Sequence, residues 1–125
     1  MSVRTFFYHK DQLAKVRVLF DHYPNLHAVL DDYTVIKNEL NSRYYTTDND
    51  YINYTPPAYA DDDFDNTEYH IKKQLIEYAA YWNFPVPGQL DNYLILKINS
   101  DLQIEVCYEH GDLYNAYLLA KKMEW

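Results

Sequence analysis

The stretch KDQLAKVRVLFDHY, residues 10–23, decides how the fold is read. Leu13, Val16, Leu19 and Phe20 recur at three- and four-residue steps, the spacing that aligns side chains on one face of an α-helix. Asp11 stands in what would be the opening turn, where the helix dipole favours a negative charge. The spacing therefore predicts a helix. Pro24 cannot continue it, and PNLHAVLDDYTVIKNELNSRYY, residues 24–45, restarts the pattern from Pro24 or Asn25 with Leu26, Val29, Leu30, Tyr33, Ile36 and Leu40. An N-terminal helical pair, joined by a short turn around Pro24, is the expectation.

Beyond the pair, Pro56 and Pro57 interrupt residues 44–70 and favour an extended path. A third helix is expected from Asp65, with Asp65 as cap and Glu68 three positions on as its capping-box partner. Ile71, Leu75, Ile76, Tyr78, Ala79 and Trp82 would form its apolar face, and Pro85, Pro87 and Gly88 would end it. The period then changes to two. Leu94, Leu96 and Ile98 alternate along YLILKIN, and Leu102, Ile104, Val106 and Tyr108 alternate along LQIEVCYE, with Asn99, Ser100 and Asp101 as the turn of an antiparallel hairpin. Residues 113–125 fit either a strand, through Leu113, Tyr117 and Leu119, or a helix, through Ala116 to Lys122. The expected fold class is α+β in a single domain over 1–125, helical over about 10–83, acidic and tyrosine-rich over 44–70, and β over about 92–125.

With 125 residues, 48% hydrophobic and 18% aromatic, the chain is long enough for one core and short for two. A single cysteine, Cys107, excludes an internal disulfide, and its setting between Val106 and Tyr108 reads as a buried small hydrophobe rather than a reactive thiol. The N-terminus lacks the apolar core of about 7–15 residues that a signal peptide carries. Nor does any window approach the ~18 apolar residues of a membrane helix. A cytoplasmic protein is expected.

Catalytic and metal patterns are sparse. Two glycines cannot build a glycine-rich phosphate loop, and Ser2, Ser42 and Ser100 lie outside any nucleophile-elbow context. His9, His22, His27, His70 and His110 show no zinc spacing. Asp61, Asp63 and Asp65 imitate the first three ligands of an EF-hand loop. However, Asn66 then falls where glycine is needed and Lys72 where a bidentate glutamate is needed. Counting from Asp48 brings Asp50, Ile52 and Tyr59 to the third, fifth and twelfth positions, which fits worse. Neither an enzyme nor a cofactor or metal is expected.

Charge is unevenly placed. Of a net −8, residues 1–43 hold six cations against five acids, and residues 71–125 five lysines against seven acids. Residues 44–70 hold seven acids, six tyrosines and no cation. Carboxylates along a backbone can stand where phosphates stand in a basic groove, and tyrosine adds a flat face that stacks and a hydroxyl that hydrogen-bonds. The candidate binding residues are Asp48, Asp50, Tyr51, Tyr54, Tyr59, Asp61, Asp62, Asp63, Asp65 and Glu68. Tyr51, Tyr54 and Tyr59 are expected to be exposed, and Tyr44, Tyr45 and Tyr69, beside the expected helices, to pack inward. A solvated loop with its rings folded back on the domain is the competing expectation.

The run DNDYINYTPPAYADDDFD, residues 48–65, in a small acidic chain with one cysteine, resembles the DNA-mimic inhibitors encoded by phages and other mobile elements. That class includes anti-restriction proteins, uracil-DNA glycosylase inhibitors and several anti-CRISPR proteins. The resemblance lies in charge and rings, since the class shares no motif. It implies a non-catalytic inhibitor that fills the groove of a basic nucleic-acid-binding nuclease or repair enzyme and does not itself bind nucleic acid. Two alternatives stand beside it. One is a regulatory DNA-binding protein using the N-terminal helices with Lys10, Lys15, Arg17, Lys37 and Arg43; the other is an immunity protein against a toxin nuclease. Monomer and homodimer are both open.

Overall fold

In a computed structural model that describes residues 2–61 and 63–123, the chain begins with strands. The elements follow as β1 (Ser2–His9), β2 (Gln12–Phe20), α1 (Leu26–Arg43), β3 (Asn49–Tyr54), α2 (Phe64–Lys72), β4 (Ile76–Phe84), β5 (Asn92–Ile98), β6 (Ile104–Glu109) and α3 (Gly111–Lys122). The six strands form one sheet in the order β1-β2-β6-β5-β4-β3, with every neighbouring pair antiparallel. No helix among the described residues is long and apolar enough to cross a membrane.

The expected N-terminal helical pair is thereby overturned. Residues 2–20 form a hairpin closed by Lys10 and Asp11, whose φ values of 50° and 66° give the left-handed pair of a two-residue strand connection. The helical spacing of Leu13 and Val16 has a different origin. Phe7 pairs with Lys15 and Tyr8 with Leu13, so Ala14 is an extra residue bulged out of β2. The inserted residue stretches a two-residue step to three, which brings Leu13 and Val16 to the same sheet face. The backbone carbonyl of Ala14 then accepts from His110 N at 2.9 Å, which ties the bulge to the start of α3.

Of the expected pair, only the segment after Pro24 is helical. Asn25, in an extended conformation, caps α1 by accepting from Ala28 N at 2.9 Å. The third helix is shorter than expected and starts earlier. Asp63 rather than Asp65 is its cap, accepting from Asn66 N, so Glu68 is not a capping-box partner. Its end is a Schellman arrangement: Gln74 N donates to Ile71 O at 2.9 Å, Leu75 N donates to His70 O at 2.8 Å, and Gln74 has φ 62°. Glycine or asparagine usually marks such a stop, and with Gln74 in that place the apolar run through Trp82 reads as one continuous helix. Instead, Ile76, Tyr78, Ala80 and Trp82 lie on one face of strand β4.

The expected C-terminal β part over about 92–125 is also corrected. β5 and β6 pair with each other, but they are inner strands of the six-stranded sheet, and residues 111–122 after them are helical. Helix α3 starts where Gly111 presses on the 90–91 backbone, and a Cβ added there would lie 2.3 Å from the Asp91 carbonyl oxygen.

The core forms on one sheet face. Leu26, Val29 and Tyr33 of α1 pack over Trp82, Leu94, Leu96, Ile98 and Ile104, and Ile71 of α2 closes one end. α3 lies on the opposite face, where Tyr117 meets Phe7 edge-on at 5.8 Å and Tyr114 accepts a hydrogen bond from Lys15 Nζ at 3.2 Å. Trp82 is fully buried, and its Nε1 donates to the Tyr45 carbonyl at 2.9 Å and to Asn41 Oδ1 at 3.1 Å, fastening the end of α1 to β4.

Two stability outcomes follow. Trp82→Phe orphans the Tyr45 carbonyl and should cost about 1–3 kcal/mol. Gly111→Ala forces backbone apart and should cost about 1–3 kcal/mol. Urea titration monitored by far-UV circular dichroism measures both, and an unchanged midpoint for either would contradict the contact assigned to it.

Candidate acidic interface

The acidic segment is not one loop. It becomes the edge strand β3, an irregular stretch over 55–61, and helix α2, on the β3–β4 side of the sheet. Three fates divide its carboxylates.

Some are neutralised. Asp50 on β3 takes an ion pair from Lys37 of α1 at 2.8 Å, and Glu68 takes one from Lys72, one turn on in α2, at 3.4 Å. A second group serves the backbone: Asp63 caps α2 through Asn66 N at 2.9 Å. The third group faces solvent. Asp48, Asp61 and Asp65 are exposed, and none has a cation at ion-pair distance among the described residues. Asp62 lies outside the described residues.

The rings divide as well. Tyr51 is half-buried, stacked on Tyr81 with centroids 6.0 Å apart, and donates to Glu77 Oε1 at 2.9 Å. Burial first, then the neighbouring Tyr81 and Glu77 side chains, push its phenol well above the ordinary range. Tyr54 on β3 and Tyr59 in the irregular stretch are exposed. Tyr44, Tyr45 and Tyr69, expected to pack inward, are exposed instead: Tyr44 and Tyr45 meet Phe84 edge-on from the rim of the core, and Tyr69 lies beside His70. Helical neighbours did not bury these rings: Tyr44 is the C-cap of α1 and Tyr45 follows it, and Tyr69, within α2, is off the side that buries His70 and Ile71.

Glu77 and Tyr81 escaped the sequence expectation. Reading the segment from residue 76 with a period of two would have found them, because Glu77, Ala79, Tyr81 and Asn83 alternate against Ile76, Tyr78, Ala80 and Trp82.

The opposite end of the sheet has the opposite charge. The β1–β2 hairpin carries Arg4, Lys10, Lys15 and Arg17 against the single Asp11. Lys15 pairs with Glu109 at 3.2 Å, whereas Arg4 and Lys10 are exposed. The molecule is polarised along its strand order.

Conventional chemistry is thinly represented. No group of three or more His, Cys, Asp and Glu side chains is placed to hold a metal among the described residues. Cys107 is buried, and burial raises its thiol above the usual range, which suits an inert packing residue. An open cavity of about 550 Å³ lies between the end of β2 and α1, lined by Phe20, His22, Tyr23, Asp32 and Ile36, where the Tyr23 hydroxyl donates to Asp32. Compared with known proteins, the chain matches no family model, no curated protein and no solved structure.

The cap that Asp63 provides can be separated from its charge. Asp63→Ala should cost about 0.5–2 kcal/mol by removing the cap, whereas Asp63→Asn keeps a capping oxygen and should cost little. Equal midpoints for both variants in urea would rule out the cap.

Proposed function

We propose that the chain is a non-catalytic acidic binding protein, acting in the cytoplasm, that inhibits a basic nucleic-acid-binding protein of the nuclease or repair-enzyme class by filling its groove. The observation that carries this reading is the exposure of the carboxylates Asp48, Asp61 and Asp65 and of the rings of Tyr54 and Tyr59, spread along β3, the stretch after it and α2. They lie on the β3 side of the sheet, remote in the strand order from the four cations of the β1–β2 hairpin, Arg4, Lys10, Lys15 and Arg17.

The physical reasoning is direct. A carboxylate free of internal partners retains its field, and several at one end attract a cleft lined with lysine and arginine. Asp50, Asp63 and Glu68 are already engaged and contribute more to folding than to contact. The binding set is therefore narrower than the acidic run: Asp48, Asp61 and Asp65 supply charge, and Tyr54 and Tyr59 supply surface that can stack on a guanidinium or displace a base. Tyr51, held against Tyr81 and Glu77, lies on the opposite face of β3 from Tyr54.

An immunity protein against a toxin nuclease would use the same surface and differs in the enzyme it meets. The regulator built on N-terminal helices loses its scaffold, because residues 2–20 are a β-hairpin.

The test is displacement of labelled duplex DNA from a panel of enzymes comprising a restriction endonuclease, a uracil-DNA glycosylase, an RNA-guided nuclease and a toxin nuclease. The chain should release duplex from one of them, less effectively as salt rises. The triple change Asp48→Asn, Asp61→Asn, Asp65→Asn should weaken that effect about tenfold or more, with the unfolding midpoint retained. No displacement from any enzyme, or direct binding of duplex to the chain itself, would overturn the proposal.

A further inference from the structure

We propose that copies of this chain join edge to edge, β1 of one copy pairing antiparallel with β3 of the next, so that the basic end of one sheet meets the acidic end of another. The proposal does not depend on an enzyme partner, because its occupant is a second copy of the same chain.

Both edges are open. On β1, Val3, Phe6 and Tyr8 are 59%, 51% and 57% exposed, and on β3, Ile52 and Tyr54 are 43% and 36% exposed. Edge strands are ordinarily protected by proline, lysine, shortness or a bulge that twists them away. The eight residues of β1 contain neither proline nor lysine, and the bulge of the hairpin lies on β2.

The strand geometry permits continuation. Six strands alternate in direction across the sheet, so β1 and β3 run opposite ways, and a translated copy presents its β1 antiparallel to β3. The hydrogen-bonding pattern agrees. Along the row Arg4, Val18, Val106, Leu96, Ala80, Asp50, the five pairings alternate between hydrogen-bonded and non-bonded kinds. An odd number of pairings leaves both outer edges presenting the same kind, as an antiparallel continuation requires.

One register uses all of β3. With Phe6 opposite Ile52, Arg4 falls opposite Tyr54 and Tyr8 opposite Asp50, all on the α1 face. The hairpin turn beyond then brings Lys10 toward the Asp48 end of β3. This alignment offers an aromatic–branched pair and a cation over a ring, both favourable cross-strand combinations, with opposite charges near its end. Charge also selects between possible pairings. Joining β1 to β1 by a two-fold axis brings Arg4, Lys10 and their copies together, and joining β3 to β3 brings two acidic ends together. Only the head-to-tail contact sets cation against acid. Such a contact is heterologous, so copies add in sequence until the rotation closes a ring or a filament grows. It covers Asp48 and Tyr54, and would compete with a basic partner for them.

The experiment is sedimentation of the whole chain across a concentration series, with Phe6→Lys blocking one edge and Ile52→Lys the other. The unaltered chain should sediment as species larger than monomer that grow with concentration, and each variant alone should remain monomeric. An equal mixture of the two variants should form a one-to-one dimer, because each retains the edge the other has lost. A disulfide trap reports the same contact: Phe6→Cys and Ile52→Cys chains, oxidised together, should give the mixed dimer in large excess over either homodimer. A monomeric unaltered chain at millimolar concentration would overturn the proposal. So would assembly retained by Ile52→Lys alone, or a trap dominated by Phe6→Cys homodimers, since both indicate two-fold pairing through β1.

Discussion

The ladder between β2 and β6 is the interaction on which the rest of this structure depends. It sets Arg17 opposite Cys107 and Val18 opposite Val106, residues separated by most of the chain. Closing so long a loop costs entropy that grows only slowly with length, and burial between the two strands offsets it. Without that ladder, residues 2–20 would be an isolated hairpin, a form that is marginal in water. With it, β2 becomes an inner strand, the hairpin becomes one end of a continuous sheet, and β3 is left as the other end.

The same ladder positions both helical layers. Val16 and Val18 turn to the α1 side, while Lys15 turns to the α3 side, where its ammonium lies 4.6 Å from the Tyr114 ring centre and pairs with Glu109. The bulged Ala14 is fully buried, and its carbonyl receives His110 N just before α3 begins. A one-residue insertion in β2 thus serves the docking of a helix nearly a hundred residues later in the chain.

Charge follows from this arrangement rather than from composition alone. A net of −8 describes an acidic protein, yet the strand order converts it into a polarised one, with exposed Arg4 and Lys10 at one edge and exposed Asp48, Asp61 and Asp65 at the other end. Folding also draws on part of the acid. Lys37 reaches Asp50, Lys72 reaches Glu68, and α2 takes Asp63 as its cap, so the carboxylates still available to a partner are fewer than the run suggests.

Much was legible in the residues themselves. The helix after Pro24, the strand character of residues 92–98 and 104–109, the buried Cys107, and the gathering of acid and tyrosine in residues 44–70 all follow from local spacing and composition, because each depends on near neighbours. Tertiary structure alone decided the rest. Residues 10–23 read as a helix until a bulge accounts for the spacing, and residues 75–82 read as a continuation of α2 until Gln74 turns left-handed. Which carboxylates stay free was equally hidden, since Lys37 and Asp50 meet only once α1 crosses the sheet. Local pattern is set by neighbours a few residues apart, whereas strand partners and ion pairs come from distant parts of the chain, and their energies appear only when those parts are brought together.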